Sequence, residues 1–150
     1  MELVEEFSFE VELAEGLVMP NGPMGTRAVA PFAGGTVHGA RINGTFVGGG
    51  ADWLLVGSDH FGRIDVRAQI RTDDDALLYL SYSGLLELNE TVSTAMADHE
   101  RETAFEDQYC RVALRLETGD DRYGWTNTTL FVARGRMGRS GVAYEVYRLT

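Results

Sequence analysis

The chain has 150 residues, a net charge of −10, and thirteen arginines with no lysine. That balance argues against nucleic-acid or anionic-membrane binding, which need a basic surface to displace counterions, and it excludes lysine Schiff-base chemistry. A chain of this length buries roughly 70% of its unfolded surface without a staple, and its single Cys110 can form no internal disulfide.

In chain order, Phe7 to Leu13 alternates Phe7, Phe9, Val11 and Leu13 against Ser8, Glu10 and Glu12, the period of a half-buried strand. The preceding Met1–Glu6 stretch is acidic where a signal peptide is basic, and no apolar run is long enough to span a bilayer. The expectation is a soluble, cytoplasmic chain with one domain over residues 1–150. Glu15-Gly16 and Pro20-Asn21-Gly22-Pro23 punctuate the next segment, which reads as a loop or irregular edge up to Pro31. Gly34-Gly35 opens a strand over Thr36–Ala40, and Asn43-Gly44 signals a hairpin. Gly48-Gly49-Gly50 precedes a strand at Ala51–Val56 and reads as a bulge; with no helix behind it, it cannot cradle phosphate.

From Arg63 the alternation is strict: Arg63, Asp65, Arg67, Gln69 and Arg71 are polar, and Ile64, Val66, Ala68 and Ile70 apolar. After the turn at Thr72–Asp75, the run Ala76–Leu88 is too apolar for a sheet with one face in water. The two strands form a core hairpin. Thr91–Gln108 is the one helical stretch, with Val92, Ala95, Met96 and His99 at helical spacing and Asn89 or Thr91 able to cap it. Tyr109–Thr118 returns to strand, and two final strands span about Trp125–Arg136 and Val142–Leu149. The fold class is therefore all-β and mainly antiparallel, a single closed β-barrel of about eight to nine strands with one short helix. A barrel is preferred to a sandwich because it can line a small polar pocket with one charged strand face.

Gly49-Gly50-Ala51-Asp52-Trp53, Ile64-Asp65-Val66-Arg67, Arg71–Ala76, Glu117–Asn127 and Gly141–Tyr147 together resemble the signature of a bacterial and fungal family of domains of unknown function, across nearly the whole chain. The resemblance implies a calycin-like antiparallel β-barrel that often self-associates, here as a dimer, and it implies no reaction. The chain departs from the family pattern at Asp75 and Asp121, where a glycine or proline follows the turn, and at Ala51, inserted between the glycines and Asp52. The departures bear on turn geometry.

Asp65 and Arg67 share a strand face, as do Arg115 and Glu117. If both pairs entered one barrel, two carboxylates and two guanidiniums would occupy a low-dielectric pocket, where unpaired charge is costly. Asp65 or Glu117 could then act as general base beside Arg67; the plainer reading is a solvated face. Trp125 and Asn127 offer a ring beside an amide, suited to a planar oxygenated ligand, although Trp125 could equally be core. Asp52 and Trp53 fit a barrel mouth, with Tyr82 and Arg115 as further ligand contacts. His38, His60 and His99 are scattered singly and Asp73–Asp75 lacks the spacing of a calcium loop, so no metal or cofactor is expected. Cys110 alternates with Val112 and Leu114 and reads as core.

Two functions compete. One is a cofactor-independent isomerase, cyclase or lyase acting on a small oxygenated aromatic or polyketide-like compound, with charged faces turned inward. The other is a calycin-type carrier of a hydrophobic ligand, with apolar faces inward; a dimeric scaffold with a filled barrel is the third reading. Barrel polarity discriminates the first two, and the third predicts no pocket.

Overall fold

The computed structural model describes residues 1–150. Its strands are β1 (Leu3–Leu13), β2 (Leu17–Gly22), β3 (Gly25–Gly39), β4 (Gly44–Val56), β5 (Phe61–Thr72), β6 (Leu77–Glu87), β7 (Cys110–Glu117), β8 (Phe131–Gly138) and β9 (Gly141–Leu149). A short helix α1 (Glu90–Ala97) follows β6, and a 3-10 segment (Asp121–Thr128) follows β7. The sheet order is β1-β9-β8-β7-β6-β5-β4-β3-β2, and β1 also pairs with β3. That second pairing closes eight antiparallel strands into a barrel and leaves β2 as a flange on β3. Closure removes the free edges of the eight strands, and only β2 keeps one.

Alternation decides which side chains fill the barrel. Ile64, Val66, Ala68 and Ile70 of β5, Leu78, Leu80 and Tyr82 of β6, and Val112, Leu114 and Leu116 of β7 all belong to one buried cluster with Phe7, Phe9, Phe131 and Val146. Each Leu, Ile or Phe so buried contributes about 1.5–3 kcal/mol. The charged faces therefore line no pocket inside the barrel, and the plainer reading of a solvated face holds. The apolar faces occupy the interior, and Asp65, Arg67, Arg115 and Glu117 are exposed outside, because enclosing four charges costs more than any small pocket they could line returns.

The lower end of the barrel is closed by the 3-10 segment, which buries Tyr123 and Thr126. The upper end carries the β4–β5 and β8–β9 turns and α1, whose buried Val92 and Ala95 face the body of the protein. Asn89 caps α1, accepting from the Val92 N–H at 2.9 Å.

Three local expectations are corrected. The segment before Pro31 is strand, since β2 pairs with the first half of β3, which pairs in turn with β4; the turn residues mark the Gly22–Gly25 hairpin and a bend in β3 between Pro31 and Thr36. The helix ends at Ala97. Beyond it, Thr103 donates its N–H to Met137 O and its hydroxyl accepts from the Met137 N–H, so this stretch is tied to β8 as extended chain. The strand expected from Trp125 begins only at Phe131, since the preceding residues form the 3-10 segment.

Candidate functional site

Two carboxylates reach the inner side of the barrel, and their environments are opposite. Glu6, at the lower end, accepts from Arg41 Nε at 2.6 Å and lies 2.9 Å from Arg148 Nε. These guanidiniums, Arg41 first, hold its carboxyl below the usual range. Arg41 also lies over the Trp125 ring, 3.5 Å from its centroid, and Trp125 packs edge-on against Phe131. Trp125 is therefore part of the lower closure, and Asn127 is committed to it as well. Its amide accepts from the Thr118 N–H at 2.8 Å and donates to Thr118 O at 3.0 Å. Neither is free to form the ring-and-amide platform expected from the sequence.

Asp52 is the other inward carboxylate. It pairs in register with Ala30 on β3 and Val66 on β5, both on the inner face. Just before it, Gly48 and Gly49 adopt φ of 70° and 83°, left-handed values that cost glycine nothing. There β4 advances from Val47 to Ala51 while β5 moves only from Gln69 to Arg67. The result is a bulge of the kind that re-aims side chains at barrel walls. On the other side, β3 and β4 lose pairing between Pro31 and Thr36. A small cavity of about 80 Å³, lined by Phe32, Phe46, Ala68 and Gln69 among others, occupies this break in the wall.

No cation faces Asp52. Its only hydrogen bond comes from the Asp65 N–H at 3.1 Å. Burial, the dominant cause, pushes its carboxyl up to about 6, against the pull of that bond and with help from the Asp65 charge. Around it stand the polar tips of buried residues. Tyr82 and Tyr144 lie with ring centroids 5.3 Å apart, and Cys110 belongs to the same buried cluster. Burial raises both tyrosines well above the usual phenol range, with Asp52's charge adding to the effect. Burial likewise pushes the Cys110 thiol up to about 11. The inner face thus carries one carboxyl pushed up by burial and two buried phenols, group types that general acid–base chemistry uses.

Gly135 makes room for this arrangement, since a Cβ there would lie 2.6 Å from both Cys110 Sγ and the Tyr144 ring. Among the residues singled out from sequence, Asp52 and Tyr82 both turn to the inner face, in one register row through Val66. Trp53 does not, because the next residue along β4 points outward and is half exposed. On the outer wall, the register sets Arg67 and Arg115 on either side of Ser81, and Glu117 beside Tyr79. Asp65, Arg67, Arg115 and Glu117 thus share a surface but not the interior. Tyr144 was not anticipated; its signal was the alternation Val142, Tyr144, Val146 on β9, with a polar tip on an otherwise apolar face.

The comparisons agree on the fold. A UPF0311 protein of Rhodopseudomonas palustris CGA009 is 26% identical over 159 residues, covering 98% of this chain and 97% of its own length. A UPF0311 protein of Clostridium acetobutylicum is 25% identical over 154 residues, with coverage of 100% and 95%. Among solved structures, a β-barrel-like protein of Acinetobacter baumannii superimposes with a TM-score of 0.83 at 29% identity, covering 99% of this chain and 96% of that one. A structure described as an enzyme from Penicillium herquei superimposes at 0.74 with 18% identity, covering 99% and 94%. The model of the family described as "Protein of unknown function (DUF3237)" matches residues 1–149, and the chain belongs to that family.

Proposed function

We propose that the upper barrel binds a small oxygenated aromatic or polyketide-like compound and catalyses a cofactor-independent proton transfer on it, of the isomerase, cyclase or lyase type. The carrying observation is the inward Asp52 carboxyl, faced by no cation and pushed up to about 6 by burial, on an inner face that also carries Tyr82 and Tyr144. Asp52, rather than Asp65 or Glu117, takes the role of base. For an isomerisation, the carboxylate takes a proton from a carbon next to a carbonyl, the C–H pair forms the enolate, and a tyrosine hydroxyl donates to its oxygen. The proton then returns to a different carbon, so the step balances without a co-reactant. The description of the Penicillium herquei neighbour as an enzyme supports catalysis on this barrel, as an analogy of fold.

One observation favours the carrier reading: the inner face is apolar apart from the Asp52 cluster and the Glu6 pairing. The two readings separate by a deuterium-exchange test. The protein is screened by thermal shift against enones, phenols, lactones and fatty acids, and hits are incubated in D2O with wild type, Asp52→Asn and Tyr144→Phe. Catalysis predicts exchange at a carbon next to the carbonyl, lost in Asp52→Asn while binding persists. Binding with no exchange and no turnover assigns the barrel to carriage.

A further inference from the structure

The outer wall of β5–β9 breaks the rule that an exposed sheet face is polar. Leu77, Tyr79, Leu85, Tyr109, Leu130 and Leu3 are all substantially exposed. The first three lie on β6, the strand whose sequence is too apolar for water. Between them the wall is a trough. Ser83, Ala113 and Val132 line both a groove of about 680 Å³ running towards Leu85 and Tyr109 and one of about 590 Å³ running towards Tyr79 and Leu130. The strand register makes the trough continuous, since Asp65, Ser83, Ala113, Val132 and Tyr147 form one row across five strands.

The charges on this wall are equally unusual. Arg63 and Arg71, at the ends of β5, pair with Asp59 and Asp75. Between them, Asp65 and Arg67 form no salt bridge within the chain, and neither do Arg115 and Glu117 opposite. Arg67, Arg111 and Arg115 and the carboxylates Asp65 and Glu117 thus stand without salt bridges around a trough with small residues on its floor and large apolar residues on its rims.

A surface with unpaired charges of both signs, and with ridges beside a trough, can complement itself. From this we infer that the β5–β9 wall is an isologous interface with a second copy of the chain, each copy setting its Tyr79 and Leu130 rim into the other's trough. In a two-fold contact, residue i of one copy meets j of the other and j meets i, so Asp65 and Glu117 each have an unpaired arginine available across the axis. The area suffices. Five strands at ~4.8 Å and the length of β6 from Leu77 to Leu85 give roughly 25 by 27 Å. That is about 650 Å² in projection, near the ~800 Å² each partner contributes to a standard interface. The contact leaves the Asp52 cluster, on the opposite side of the wall, untouched.

Sedimentation velocity and light scattering on the full chain test this between about 1 and 100 µM, which spans the affinities expected of weak to ordinary interfaces. The expected result is a wild-type dimer that Tyr79→Glu with Leu130→Glu weakens at least tenfold while the far-ultraviolet circular dichroism stays the same. A second arm uses charge alone. Arg67→Glu with Arg115→Glu, and separately Asp65→Arg with Glu117→Arg, each weaken self-association, and an equimolar mixture of the two forms a heterodimer. A monomer throughout overturns the inference. So does a dimer indifferent to these changes but lost in Val18→Lys on the free edge of β2, or a mixture that stays monomeric.

Discussion

At the scale of single residues, Asp52 is a liability to the fold, which makes it informative. Its carboxyl rises from 3.8 to about 6 on folding, so the folded state holds the proton more tightly than the unfolded chain does. There is no penalty below the unfolded value; it grows as pH rises and is complete above about 6. A shift of this size costs about 2–3 kcal/mol. Asp52→Asn, whose amide oxygen can still accept from the Asp65 N–H, is expected to melt higher than wild type at pH 8 and alike near pH 3.5. Equal melting temperatures at pH 8 would remove the case for a desolvated carboxyl. Glu6 behaves in the opposite sense. Its lowered pKa gives stability that is present above the unfolded value and lost as pH falls through the folded one. Glu6→Gln leaves Arg41 and Arg148 without their counter-charge and is expected to cost about 2 kcal/mol at pH 7 by urea unfolding, converging with wild type in acid. One carboxylate serves the fold and the other is kept against it.

At the scale of elements, the strands were readable wherever alternation ran without interruption, as in β1, β5 and β7. They were obscured where proline and glycine were read as loops. Pro31 and Gly34-Gly35 sit at a bend within β3, so the punctuation was real but marked a deformation of a strand. The reading of Gly48–Gly50 as a bulge agrees with the register shift there. The helix was overextended because periodicity alone cannot detect that Thr103 bonds Met137 on a strand far along the chain. The turn departures also have a physical outcome. Asp75 adopts φ 70°, a conformation glycine takes without strain, and pairs with Arg71. Choosing the inner face was harder, since alternation names two faces without saying which is enclosed, and one step of register exchanges them. Asp52 and Tyr82, singled out from the sequence as ligand contacts, both lie on the inner face, and so does Tyr144, remote in sequence and not singled out. The fit of β8 against this cluster can be tested through Gly135. Gly135→Ala collides with Cys110 Sγ and the Tyr144 ring and is expected to cost about 2 kcal/mol. Adding Cys110→Ala should recover part of that loss, and full additivity in the double mutant would show that the two side chains do not compete for the space.

At the scale of the whole molecule, stability depends on closure, and closure joins the two ends of the chain. β1 pairs with β9 along most of its length and with β3 on its other side. It also brings Phe7, Phe9 and Val11 into the core. The Glu2 N–H donates to Thr150 O at 3.1 Å, and the Thr150 N–H donates to Glu2 O at 3.0 Å, so the last residues are already adjacent. A closed ring of antiparallel neighbours has no privileged starting strand, only junctions that matter and junctions that do not. A circular permutant with residues 1 and 150 joined by a short glycine-serine linker, and opened within the exposed Gly57–Asp59 turn, cuts no strand and preserves every strand pairing. It is expected to fold to the same circular dichroism and to melt within a few degrees of wild type, since loop closure changes only slowly with loop length. Opening at Gly34, inside β3, severs the strand that links β1 to β4 and is expected to leave no cooperative melt. If both permutants melted alike, the β1–β3 pairing would not be what holds the barrel shut, and the inner face that carries Asp52 would have to owe its enclosure to β4 and β5 alone.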